Sequence, residues 1–538
     1  MAPSRTIPAP ARPRPRRRGD VAASFAALVV GAVLAAQARA VPAPAPCDDA
    51  TFIRRATLDL VGRQPTPEEL EGFLADKSAG KRSAAVERLL ADPGWATNWA
   101  RYVRDVILYR RTDDRAITMA KPLEAFLVSR LRDGASWNRI AREMITATGT
   151  PAEHGETAII MAQMGETSDI AAEVSRVFLG IQIQCAQCHD HFTDRWKREQ
   201  FHHFAAFFPR IAIVPRGEGV GADRFDVVSF DTAPRRRPGK NPDNPRRGDL
   251  EHEMPDKDDP SKPGKVMRPQ FFLAGAGVPL GTPDQERRRA VARAITAADN
   301  PWFARAIVNR LWTELVGEGF YAGIDDLGPD REPREADTLE RLCRDFVAAK
   351  HDLRALFRGI MATPAYQAES RSRGTADPAA ATASCPQRLR ADQLFAEILA
   401  ALGVEEESIG GGGRGDAARP LVGGPRFLFA QVFGYDPSLP REEVVGSIPQ
   451  ALLLMNGAVL ARAIDGDRRR SGLGRLLAEH PDDRSAADAI YVRVLARHAT
   501  PVELKTCLDH VAATGDREEG FEDVFWALVN GPEFIHRK

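Results

Sequence analysis

Cysteine is scarce in this chain, at six in 538 residues. That density excludes a disulfide-stapled scaffold, in which bridges make up for a small core. Net charge is missing as well, because 74 basic side chains face 74 acidic ones. No overall field draws a polyanion, so nucleic acid is not expected as a partner. The apolar run Val21 to Ala36 is short for a bilayer span, which takes about 20 residues. No Ser/His/Asp set or carboxylate pair stands at a recognisable spacing, and hydrolase chemistry has no candidate residues.

What the chain does have begins with a leader. Arg12, Arg14, Arg16, Arg17 and Arg18 precede the apolar run, and Ala38-Arg39-Ala40 offers a small-x-small cleavage site before Val41. These features predict a signal peptide over 1–40 and an exported protein of the periplasm or cell envelope. The membrane becomes a partner only if the segment stays uncleaved.

A single core stops growing near about 250 to 300 residues, so the length predicts several domains. A linker over 41–51 leads to a helical domain over 52–212. A small β insert with a polar loop spans 213–280, and a C-terminal helical domain spans 281–538. The fold class is mainly α, with two helical lobes and a small β-containing insert between them. Apolar spacing near 3.6 residues marks helices within Phe52 to Ala75, Ala84 to Leu90, Trp95 to Tyr109, Lys121 to Leu131, Ser136 to Thr146, Ala171 to Gln184 and Arg198 to Phe208. Phe225 to Phe230 and Lys265 to Leu273 read as strands, on either side of a polar run from Pro234 to Pro263. Thr282-Pro283-Asp284-Gln285 reads as the cap that opens the C-terminal domain. Ser370 to Ser384 and Gly410 to Gly413 read as loops. Leu58 to Leu74 is echoed by Val492 to Leu508 at a constant offset, with Arg63, Thr66, Pro67, Glu69, Leu70 and Leu74 matching Arg497, Thr500, Pro501, Glu503, Leu504 and Leu508. Two independent hairpins with the same cap, or a duplication, account for this equally well.

The chemistry concentrates in Cys185-Ala186-Gln187-Cys188-His189-Asp190-His191. Cys47, Cys343, Cys385 and Cys507 are scattered, and Cys343 and Cys507 sit on helical patterns as small apolar residues. Covalent haem attachment asks for two thiols that add to the two vinyl groups of one porphyrin, followed by an imidazole for the iron. Cys185, Cys188 and His189 stand in that order. Candidates for the opposite axial position are His202, His203, Met161 and Met164, and a five-coordinate iron is a further option. The same residues also suit zinc or another transition metal, with Cys185, Cys188 and two of His189, His191, His202 and His203 as ligands. Asp190 and Asp194 would then be acceptors behind them. A Cys-x-x-Cys disulfide is the third reading. The aromatic stripe Trp196, Phe201, Phe204, Phe207 and Phe208 walls a porphyrin or fills a core. Asp325 and Asp326 cap a turn or bind a cation.

Val177 to His191 resembles the signature of the planctomycete cytochrome-c-like domain, a domain of unknown function found in large exported proteins. Phe52 to Leu60, followed by Pro65-Thr66-Pro67-Glu68-Glu69, is similar to its opening. Asn300 to Trp312, Arg388 to Leu394 and Gln450 to Asn456 resemble the C-terminal planctomycete domain of unknown function that usually follows it. At Phe192 the chain departs from the proline usual in the family. The resemblance implies an exported protein named for its Cys-His motif. The expected function is haem binding or electron transfer with a redox partner. The alternative is a zinc-stabilised scaffold of the cell envelope whose C-terminal lobe binds a protein or polysaccharide.

Overall fold

The structure is a computed structural model, and it describes residues 45–110, 114–217, 221–232, 250–259, 262–371, 384–406, 425–456 and 471–538. The segment expected to be a signal peptide, 41–44 of the linker, Gly410 to Gly413, most of the Ser370 to Ser384 break, and most of the polar run from Pro234 lie outside the described residues.

The chain is mainly α, as expected. Helices α1 (Asp49–Val61), α2 (Pro67–Ala75), α3 (Lys81–Ala91), α4 (Pro93–Leu108), α5 (Asp114–Arg132), α6 (Trp137–Ile145), α7 (Ala158–Met161), α8 (Thr167–Leu179) and α9 (Arg198–Ala205) come first. Two small antiparallel pairs follow, β1 (Ile211–Pro215) with β2 (Phe225–Ser229) and β3 (Glu253–Met254) with β4 (Lys265–Val266). The chain continues with α10 (Asp284–Ile295), α11 (Pro301–Val316), α12 (Ala336–Ala348), α13 (Leu353–Met361) and α14 (Pro364–Gln367). After β5 (Gln387–Arg388) come α15 (Ala391–Leu402), α16 (Pro425–Phe433), α17 (Ile448–Asn456), α18 (Gly472–Glu479), α19 (Asp483–Leu495), α20 (Pro501–Thr514), α21 (Arg517–Val529) and α22 (Pro532–Ile535). Strand β6 (His536–Arg537) returns to pair with β5. Among the described residues, no helix is long and apolar enough to cross a membrane.

Buried apolar side chains form two clusters. The larger runs from Cys47 to Tyr366, with Val492 of α19 added, and takes in α10–α14, so those helices share one core with the segment that carries the Cys motif. The smaller gathers β5 to α22 and includes Leu58 from α1. Charged side chains are buried at the junction. Arg537 donates to Asp59 at 2.8 Å, and the Tyr366 hydroxyl donates to the same carboxylate at 2.8 Å.

The two echoed segments fold alike. Asp48 and Asp482 cap α1 and α19, and both helices end on a left-handed residue, Gly62 at φ 78° and Ala496 at φ 51°. Thr66 and Thr500 then open α2 and α20 with the same capping box. Arg63 clamps Glu69 as Arg497 clamps Glu503, each through two bonds.

Three expectations need correction, and one strand stands outside them. The helix into the Cys motif stops at Leu179 rather than Gln184, because Gly180 adopts φ 67° and its N–H closes on the Arg176 and Ser175 carbonyls. The strand from Lys265 shrinks to Lys265–Val266, with Pro269, which has no N–H to donate, three residues on. Strand β1 was not anticipated. At α10 the N-terminal residues form no side-chain cap; the Asp284 carboxylate pairs instead with Arg288 at 2.8 Å, both groups fully buried.

Candidate cofactor site at the thiol turn

After Gly180 the chain makes a 3₁₀ turn over Ile183–Gln187, with Cys188 as its C-cap. Side chains three residues apart eclipse in this geometry. Ile183 and Ala186 therefore share one face and are buried, which turns Cys185 and Cys188 together onto another face, where both are exposed. The two thiols are not bonded to each other.

His189 follows directly. Its Nδ1 lies 2.6 Å from the Asp190 carbonyl oxygen. A carbonyl only accepts, so Nδ1 carries the hydrogen and the neutral ring keeps its lone pair on Nε2. Phe192 lies against the imidazole with ring centroids 4.0 Å apart and is itself 83% exposed. The Asp190 carboxylate accepts from the Arg198 N–H at 3.0 Å and from Lys197 at 3.0 Å, and these bonds hold its carboxyl below the usual range. His191 Nδ1 accepts from the Thr193 N–H at 3.3 Å.

The other candidate imidazoles are engaged elsewhere. His202 is buried on α9; its Nε2 donates to the Gln187 carbonyl at 3.0 Å, and its Nδ1 faces His252 Nε2 at 2.9 Å. Burial pushes its pKa down to about 4, which keeps the ring neutral. His203 Nδ1 donates to the Arg268 carbonyl at 2.7 Å. Met161 is sealed in the core, whereas Met164 is 38% exposed. Among the described residues, no group of three or more His, Cys, Asp or Glu side chains is arranged to hold a metal ion.

The aromatic stripe belongs to the core. Phe201, Phe204, Phe207 and Phe208 are fully buried, and Trp196 and Phe204 both meet the Phe272 ring edge to face. Asp325 neither caps a turn nor stands ready for a cation; it is buried between Arg176, at 2.7 Å, and Arg310. Asp326 pairs with Arg331 at 3.2 Å.

Several contacts of the turn were not found from the sequence. His252 lies in the polar insert, fifty residues from His202. Arg198 Nε reaches the Gln187 carbonyl at 3.3 Å, and Arg331 comes from the C-terminal segment. No periodic or motif signal marks any of the three.

Compared with known families, residues 30–212 match one described as "Protein of unknown function (DUF1549)" and residues 287–420 match a second, "Protein of unknown function (DUF1553)". The pair fits the two-part organisation read from the sequence, and neither description supplies an activity or a cofactor. No curated protein and no solved structure matches the chain.

Proposed function

We propose that the chain is an exported c-type haem carrier that serves in electron transfer. The observation that carries this reading is the thiol turn: two exposed sulfurs on one face of a 3₁₀ turn, followed by an imidazole whose Nδ1 is tied to a carbonyl. Those features fit the group. Cys185 and Cys188 would each add S–H across a vinyl double bond, forming one C–S bond apiece with no external oxidant. His189 would offer Nε2 to the iron, oriented through its own Nδ1–H bond, as metal-bound histidines commonly are. Bound haem supplies one-electron chemistry. His202 keeps the Gln187 carbonyl in place between the two thiols and, with both nitrogens engaged, is not disposed to act as a ligand.

The zinc-stabilised scaffold asks for four ligands around one point. The bonds made by His202, His203 and Asp190 draw those side chains to other partners, and this lends the alternative less support.

The test is the pigment of the full chain produced with a c-type maturation system in an exporting host. A Soret band that stays with the protein through acid-acetone extraction, and disappears in Cys185→Ala/Cys188→Ala, is the expected result. A colourless protein carrying stoichiometric zinc would sink the reading in favour of the scaffold.

A further inference from the structure

The loop Asp325 to Arg331 follows α11 in the C-terminal segment, yet it touches both flanks of the thiol turn. On the entry side, the Leu327 N–H donates to the Gly180 carbonyl at 2.8 Å, and a Cβ on Gly180 would come within 3.1 Å of the Leu327 side chain. The φ of 67° favours glycine there, and a Cβ would also push the Leu327 side chain aside by a few tenths of an ångström. One turn back along α8, Arg176 meets Asp325 at 2.7 Å. On the exit side, Arg331 Nη1 donates to the Thr193 carbonyl at 2.9 Å and Nη2 to its hydroxyl at 3.1 Å. Asp326 holds the same guanidinium, and Arg195 pairs with Asp330 at 3.0 Å. Between them Asp194 presses against Gly328, where a Cβ would stand 1.9 Å from its Oδ2.

These contacts bracket Cys185 to His189 from both ends, and they come from residues that lie in the other family match. The Thr193 and Arg195 contacts fall on a stretch without regular secondary structure, where few backbone bonds resist opening. The long α8 and the core secure the entry side, whereas the exit side depends on side chains. Arg331 is the residue best suited to that role, because its planar fork makes two bonds to one residue while a carboxylate fixes its orientation.

We propose that the 325–331 loop is the positioning element of the thiol turn, with Arg331 as the positioning residue that fixes the His189 to Trp196 stretch relative to the two sulfurs. The segment matching the second family then completes a site whose reactive groups all lie in the first. Only the consequence for haem loading rests on the function proposed above; the clamp itself does not.

The experiment is hydrogen exchange with mass-spectrometric readout on the full chain, without haem and after maturation, for wild type, Arg331→Ala, Arg331→Lys and Gly328→Ala. Two lost hydrogen bonds should speed exchange over 189–196 by roughly tenfold or more in Arg331→Ala while the rest of the chain stays as in wild type. Arg331→Lys keeps the charge and one donor nitrogen but loses the two-nitrogen fork, and should lie between the two. Gly328→Ala should loosen the same stretch by displacing Asp194. Haem loading, read as the ratio of Soret absorbance to protein, should fall in step with the loosening. Exchange over 189–196 that is unchanged in both Arg331→Ala and Gly328→Ala overturns the clamp. Faster exchange in a chain that never takes up haem upholds the clamp and removes the haem reading.

Discussion

Glu397 on α15 carries the most quantitative consequence of the buried polar junction. Its carboxylate is fully buried: Oε1 accepts from the Gln64 N–H at 2.6 Å, Oε2 has no hydrogen-bond partner among the described residues, and Arg54 supplies the largest compensating charge. Burial outweighs that charge and lifts the carboxyl from 4.5 to about 7. At about 1.4 kcal/mol per pH unit, the rise corresponds to about 3 kcal/mol between the two protonation states. The folded chain holds its proton more tightly than the unfolded one. The associated stability is therefore full below pH 4.5 and is lost as pH rises through 7. Glu397→Gln cannot ionise and keeps an oxygen for the Gln64 N–H. Its new amide meets no acceptor at Oε2, which costs about 1–3 kcal/mol at every pH. Urea unfolding of wild type and variant, followed by tryptophan fluorescence at pH 5 and pH 8.5, isolates the pH-dependent part, because other titrations cancel in the difference. The variant should gain on wild type by most of the 3 kcal/mol on going from pH 5 to pH 8.5. Parallel behaviour, or a gain in the opposite direction, would refute the assignment of a buried, proton-holding carboxyl.

Other consequences are as direct. Asp325→Ala takes from the buried Arg176 and Arg310 guanidiniums the carboxylate they share; Glu173, Ser438 and the Val106 carbonyl stay beside Arg176, but Arg310 loses its ion pair, so the urea midpoint should drop by the equivalent of about 3–5 kcal/mol. Ala496→Gly should stabilise the chain by about 0.5–1 kcal/mol, since a left-handed φ of 51° strains alanine and suits glycine, and calorimetry would read it as a raised transition temperature. His202→Ala strips the Gln187 carbonyl and His252 of their shared partner. It should cost about 1–3 kcal/mol in the same unfolding assay and quicken alkylation of Cys185 and Cys188 by loosening the turn between them.

The helices were legible because their apolar residues recur at helical spacing and because caps such as Thr66-Pro67-Glu68-Glu69 declare themselves locally. The repeated unit was legible as a string of matches, and the structure adds equivalences that the string lacks, with Asp482 standing for Asp48 and Ala496 for Gly62. Gly180 was a readable stop signal that the apolar run through Ile181 and Ile183 obscured. That run continues into the 3₁₀ turn, where a period of three buries Ile183 and Ala186 and turns the thiols outward. The buried charges were not legible: Arg176, Asp325 and Glu397 look like solvent-facing positions until a distant partner is supplied. The same holds for the shell of the thiol turn, where His252 and Arg331 reach it from far along the chain.

Whether Cys185, Cys188 and His189 converge on one covalently held haem is read from the intact mass of the matured chain with a peptide map of 176–198. The expected result is a mass raised by one haem, the addition confined to the peptide with both thiols, and neither thiol open to alkylation. An unmodified mass from cells that mature another c-type protein normally, with both thiols free to alkylate, would contradict it.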